Sequence, residues 1–245
     1  MTENEWNAFC AFRDGFKDKV KEWSSWSEKL VPLVKNAAEK DTPAYPVENS
    51  VVYNSSLDKI TPEDDIKLIV IGDNPGKNEQ LEINRAYLVG QSGKLADGFF
   101  KKNPELQIDF RKNVIILNKT PVHTAKTKHL KELSKNGGEE IQKLIDESQV
   151  WMAEKTAALL SELKNCSLWL VGYSELKPKG IFTLYRDALK ASCTDEAWDR
   201  VFVFQHFSMN CFNRDINEYT KKNPRLSLNE SLKSLGFSHR EEIFN

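Results

Sequence analysis

Four short apolar runs constrain this chain more than any other feature: Ile66 to Ile71, Val114 to Leu117, Leu168 to Val171 and Val201 to Phe204, each bounded by turn residues. Runs of this length rich in Val, Ile, Leu and Phe read as buried strands. Between them lie segments with helical character at Gly93 to Lys101, Gly138 to Asn165 and Ile181 to Ala191. A strand reaches a parallel neighbour only through a long crossover, usually a helix, so the alternation predicts a parallel arrangement. The expected class is α/β, a three-layer α/β/α sandwich around a four-stranded, mainly parallel sheet. Upstream, Trp6, Phe9, Phe12, Phe16, Val20, Trp23 and Leu30 recur at spacings near three to four, the stripe of amphipathic packing helices. From Asp41 to Asp65, three prolines and several Ser and Asn residues predict a surface loop with one short element near Val51 to Tyr53.

A chain of 245 residues can bury one full core. We expect a single domain over 1–245, with helices and a loop at 1–64 packing on a core at 65–215, and a helical tail at 216–245. The formal net charge of −1 shows no global basic character, so a nucleic-acid partner would need positive potential gathered on one face. Cys10, Cys166, Cys193 and Cys211 are scattered without a C-x-x-C pair, which fits a reduced, cytoplasmic protein. No run of about 18 apolar residues is present to span a membrane.

In an open parallel sheet, ligands bind beyond the carboxyl ends of the strands, where loops and helix N-termini converge. The residues following each strand are therefore the informative ones. After the first come Gly72-Asp73-Asn74-Pro75-Gly76; after the second, Asn118-Lys119-Thr120-Pro121; after the third, Gly172-Tyr173-Ser174; after the fourth, Gln205-His206-Phe207-Ser208. Two carboxamides, a carboxylate and an imidazole at one crevice suit a planar polar heterocycle and its bond cleavage.

From Ile66 to Arg214 these segments, in order, resemble the uracil-DNA glycosylase superfamily. Gly72-Asp73-Asn74-Pro75-Gly76 is similar to its first catalytic motif, with Asn where the mismatch-specific and single-strand-selective branches carry it. Tyr87 to Leu95, ending Val89-Gly90-Gln91-Ser92-Gly93-Lys94-Leu95, resembles the V-G-x-S-G-x-L string of the thermophile-type branch. Ser167 to Tyr173, running on to Lys177, Lys179 and Gly180, resembles the strand, turn and helix of the classical enzymes. His206-Phe207-Ser208 resembles the H-P-S motif, with Phe207 for Pro. Tyr87-Leu88 stands where a Pro-Phe pair supplies a stacking ring, and none of the four cysteines has neighbours suited to an iron–sulfur cluster.

The resemblance implies hydrolysis of the N-glycosidic bond of uracil, or a related deaminated base, flipped out of DNA by a monomeric enzyme without metal or cofactor. Asn74 would position the attacking water, with Asp73 either a base or only a source of backbone contacts. His206 would donate to O2 of the departing base. Asn118 would read its Watson–Crick edge; Asn113 lies at the opposite end of the strand. Gly72, Pro75, Gly76, Tyr87 and Ser208 would complete the base pocket, Tyr87 by stacking. Expected DNA contacts are Lys119, Lys126, Lys128, Ser174, Lys177, Lys179, Met209, Asn210 and Arg214. Met209 and Phe212 are each either a wedge entering the vacated stack or a core residue. From Arg111 to Lys135, seven basic residues face the single acid Glu132, forming either a track for a phosphate backbone or a solvated helix face. The main alternative is a protein that binds a base, nucleotide or nucleic acid on this fold without cutting.

Overall fold

The structure, a computed structural model, describes residues 1–245. Four strands form one sheet: β1 (Leu68–Gly72), β2 (Val114–Asn118), β3 (Ser167–Val171) and β4 (Val201–Phe204). All pairings are parallel, in the order β2-β1-β3-β4. β1 and β2 are buried at every residue, as expected of strands covered on both faces. The expected α/β sandwich is therefore what forms, with a wholly parallel sheet.

Nine helices surround it. In chain order these are α1 (Glu3–Ser24), α2 (Ser27–Glu39), α3 (Gln91–Lys102), α4 (His129–Asn136), α5 (Gly138–Glu162), α6 (Thr183–Ser192), α7 (Asp195–Trp198), α8 (Cys211–Lys222) and α9 (Leu228–Phe244). Helices α1, α2, α4, α5 and α6 pack on one another, while α8 and α9 pack together with α9 lying on β4. The second group meets an aromatic face: Trp169 of β3 packs on Phe100 of α3 and Phe212 of α8, and Phe204 of β4 packs on Phe212.

Local chemistry sets the boundaries. Thr2 and Glu5 form a capping box at the start of α1, and Ser227 and Glu230 do the same for α9. Arg200 donates to the carbonyls of Leu160, Leu163 and Cys166, satisfying orphan acceptors where α5 ends. One apolar core runs from Phe9 in α1 to Ile243 in α9, so the N-terminal helices and C-terminal tail share it with the sheet. The loop after α2 covers the edge strand β2: Val51 bridges Val122 in antiparallel fashion, and buried Asn54 donates to Ile116 O at 2.8 Å. No helix is long and apolar enough to cross a membrane.

Because β2 lies on one side of β1 and β3 on the other, successive connections diverge at the β1/β3 boundary. Such a switch point opens a crevice beyond the strand ends.

Candidate functional site

A cleft of about 550 Å3 occupies that position, lined among others by Asp73, Asn74, Thr127, Gly172, Gln205 and His206. Its wall thus draws on the residues following β1, β3 and β4. A more apolar groove of similar size between α1 and α5 lies away from the strand ends.

The β1 side is tightly held. Asp73 follows the last residue of the strand and keeps only 8% of its surface exposed. Its Oδ1 receives Lys119 Nζ at 2.6 Å, and its Oδ2 receives the hydroxyl of Thr127 at 3.3 Å. Across the switch point sits Gly172, with φ +96°; a Cβ there would lie 2.2 Å from Asp73 Oδ1. Glycine is therefore required twice at this position, for backbone angle and for space. Asn74 spends its amide hydrogens internally, donating to Thr124 Oγ1 at 2.8 Å and Val122 O at 3.1 Å. Its carbonyl oxygen makes no bond within the protein and stays available as an acceptor.

The β4 side presents an imidazole in one defined state. The backbone N–H of Ser208 donates to His206 Nδ1 at 3.0 Å, and the Ser208 hydroxyl lies 2.8 Å from the same nitrogen. A backbone N–H only donates, so Nδ1 is the acceptor and the neutral ring carries its hydrogen on Nε2. Burial pulls the His206 pKa below its ordinary value, with Lys119 adding to the effect and Asp73 opposing it. The ring is neutral at physiological pH. Beyond it, Met209 and Asn210 both adopt left-handed backbone angles, with φ of 51° and 59°, and Met209 is 81% exposed at the cleft rim.

Seven of the residues expected from sequence line this one cleft: Asp73, Asn74, Lys126, Ser174, His206, Ser208 and Met209. The left-handed backbone at Met209 holds its side chain out of the core, whereas Phe212 is 1% exposed among Phe99, Trp169 and Phe207. Of the two wedge candidates, only Met209 is free to enter a base stack. Gly72 and Pro75 are buried and contribute backbone. Pro75 O accepts from His123 Nδ1 at 2.8 Å, so His123 Nε2 accepts from Tyr45 Oη at 3.0 Å.

Other expectations need correction. Tyr87 does not stack on a ligand: it is 1% exposed and its hydroxyl donates to Val52 O at 2.6 Å, making it a core residue that ties down the loop covering β2. Lys119 touches no surface at all, being fully buried. The basic stretch from Arg111 to Lys135 is not one track, because its members have separate partners. Arg111 donates to Leu88 O, Lys119 pairs with Asp73, Lys126 and Lys128 converge on Asp41, and Lys131 donates to Lys179 O. Exposed Lys128, Lys177, Lys179, Asn210 and Arg214 stand outside the cleft wall, as does Gly76, where an added Cβ would meet nothing within 4 Å.

Asn118 pairs in register with Gly72 and is 2% exposed, away from the cleft wall. Its side-chain oxygen lies 2.4 Å from where a Gly72 Cβ would be, which explains the glycine. Its Nδ2 is buried without any acceptor. Asn113 holds the far end of the strand, donating to Asp65 O at 2.8 Å.

One contributor is not evident from the sequence, and another is named there without a role. Glu79 is buried and accepts from the backbone N–H of Gly76 at 3.0 Å and of Leu88 at 2.9 Å, bracing the turn after β1 against the segment before α3. Burial pushes its pKa up to about 7, against the pull of those two donors and of Arg111. A carboxylate three residues after Gly76, able to reach back to its N–H as in a capping box, was the available signal. Gly172 stands directly after the third apolar run, and a glycine in that place marks a close approach. No protein-family model, curated protein or solved structure matches the chain.

Proposed function

We propose that the chain is a DNA glycosylase of the uracil-DNA glycosylase type, hydrolysing the N-glycosidic bond of a uracil or related deaminated base flipped into the β1/β3/β4 cleft. The observation that carries this reading is the pairing of opposite polarities across one cleft. Neutral His206 offers an Nε2–H on the β4 side; Asn74 Oδ1 and the Asp73 carboxylate offer acceptors on the β1 side.

Glycosidic cleavage develops positive charge on the sugar and negative charge on the leaving base. A fixed hydrogen-bond donor at the base oxygen and fixed acceptors near the sugar stabilise both without reorganising during reaction. A neutral imidazole keeps its hydrogen while it donates, because its other nitrogen is already committed to Ser208. The Asn74 carbonyl and the less constrained Oδ2 of Asp73 are the two acceptors that would orient a water toward the sugar. Asp73 acts chiefly as fixed negative charge, since its Oδ1 is held by an ammonium.

Asn118, expected to read the base edge, is 2% exposed and does not line the cleft, so its carboxamide has no part in this reading. The groups that face a base are His206 Nε2–H and Asn74 Oδ1. Met209, exposed on a left-handed turn at the rim, is the wedge, and Lys177, Lys179 and Arg214, joined by Lys126 and Lys128 on release from Asp41, are the cations for flanking phosphates. The lack of a stacking ring at Tyr87 favours the second reading, binding of a base or nucleotide without cleavage.

Release of free base from uracil-containing single- and double-stranded oligonucleotides separates the two. The wild type releases base, and Asn74→Ala and His206→Ala each lower the rate by orders of magnitude. A folded wild type that binds uracil- and hypoxanthine-containing DNA and releases neither base would leave the binding role in place of the enzyme.

A further inference from the structure

We propose that Lys119 is a positioning residue of the cleft, whose buried ammonium fixes which of the two Asp73 oxygens faces the reaction. The role deepens the glycosylase reading and, as far as catalysis goes, rests on it.

Lys119 has no exposed surface, yet its Nζ has a full set of partners: Asp73 Oδ1 at 2.6 Å, Val171 O at 2.5 Å and Gly72 O at 3.3 Å. Three acceptors surround one nitrogen. An ammonium has three hydrogens to match them, while a neutral amine has two and would turn its lone pair on an oxygen. The ring of Phe182 lies 4.9 Å from the same nitrogen, a further contact that favours the charged form. Burial lowers the Lys119 pKa, and the Asp73 carboxylate opposes that shift.

The placement is equally specific. Lys119 directly follows β2, and its backbone N–H continues the ladder to Gly72 O at 3.0 Å and Asp73 O at 3.1 Å. Its side chain passes under Asp73 to the last carbonyl of β3. One residue therefore stitches the ends of β1 and β3 at the point where the crevice opens. Gly172 closes in on the same Asp73 oxygen, so Oδ1 is enclosed by Lys119 and the β3 turn, and only Oδ2, lightly held by Thr127, is left to act in the cleft. The other charged or titratable groups on the pair are His206 after β4 and Glu175 in the turn after β3.

Removing the cation leaves a buried carboxylate unpaired, and such a group takes up a proton at higher pH than a paired one. The test uses the full chain with Lys119→Met and Lys119→Arg, reading pH–rate profiles of base release. In Lys119→Met the acid limb moves up by about one pH unit or more, with kcat at pH 6 falling about tenfold and KM changing by less than about threefold. Lys119→Arg returns the acid limb toward its original position. A Lys119→Met profile that superimposes on the wild type after scaling overturns the proposal.

A readout independent of activity accompanies it. In carbon-13 NMR at pH 7, the Asp73 carboxyl resonance of Lys119→Met is displaced from its wild-type position. In the wild type itself, nitrogen-15 NMR shows Lys119 Nζ as a slowly exchanging ammonium at pH 7. A neutral amine there overturns the proposal even if Lys119→Met does not fold. A wild type that releases no base but shows the Asp73 and Lys119 signals as described removes the glycosylase reading and leaves the pairing standing. An active wild type with an Asp73 signal that Lys119→Met leaves in place does the reverse.

Discussion

The two walls of the cleft are built on opposite plans. On the β1/β3 side, Asp73, Lys119 and Gly172 are buried, close-packed and mutually satisfied, and nothing there can move without breaking an ion pair in a low-dielectric setting. On the β4 side, His206 is held by a single turn to Ser208, and the chain then passes through two left-handed residues that expose Met209. The first wall is an electrostatic fixture whose geometry is set before any ligand arrives. The second combines one fixed donor with an adaptable edge suited to a bulky partner. The proposed glycosylase, which stabilises charge while admitting part of a polymer, needs both.

The comparison can be broken at several points. The largest effect is expected at the fixed donor: His206→Ala lowers kcat for base release by about 10²–10³, with the melting temperature little changed, measurable by single-turnover assay and calorimetry. Next comes Gly172→Ala, which forces a methyl onto Asp73 Oδ1 at an angle L-residues rarely adopt. It should destabilise the fold by about 2 kcal/mol or more in denaturant titrations and reduce activity as well. If Gly172→Ala were silent, the β1/β3 wall would not be the rigid body described.

Met209→Ala tests the adaptable edge. With its side chain in solvent, stability should change by less than about 0.5 kcal/mol. kcat/KM should fall about tenfold on duplex DNA and less on single strands, because only the duplex requires a stacked base to be replaced.

The smallest effects concern pH and the turn after β1. Burial pulls the His123 pKa down to about 4, with the Pro75 carbonyl opposing. Unfolded His123 therefore binds its proton first, and the stability this residue contributes is lost as pH falls from about 6.5 toward 4. Glu79, raised to about 7, has the opposite sign: its contribution is complete below about pH 4.5 and is lost as pH rises through 7. The stability gap between wild type and His123→Gln should thus narrow toward acid, and that between wild type and Glu79→Gln should narrow toward neutral pH. Gaps constant across pH 4 to 7.5 would show that neither group changes protonation as described.

The strands were legible because burial on both faces demands unbroken apolar runs, and the observed β2, β3 and β4 begin and end within a residue of those runs. Helices α3, α5 and α6 were legible as the segments of helical character between successive strands. Short α4 and four-residue α7 were not, since neither spans enough turns to show a stripe. In the site, Asp73, Asn74 and His206 could be found because a polar residue directly after a buried strand has few places to go. Tyr87 and Lys119 were misplaced for a different reason. Both carry a polar tip whose partner, Val52 O or Asp73 Oδ1, lies more than thirty residues away, and only the folded chain shows that the tip is satisfied inside. The run of basic residues, which allows either a phosphate track or a solvated helix face, divides for the same reason: five of its seven charges go to four separate destinations.

The central claim, a neutral His206 that donates from Nε2 opposite a fixed negative pole, is tested most directly by nitrogen-15 NMR of its imidazole at pH 7, with and without a uracil-containing single strand. The account predicts a bare Nδ1 accepting from Ser208, a protonated Nε2, and a change confined largely to Nε2 when the oligonucleotide is added. A protonated Nδ1, or an imidazolium at that pH, would contradict it.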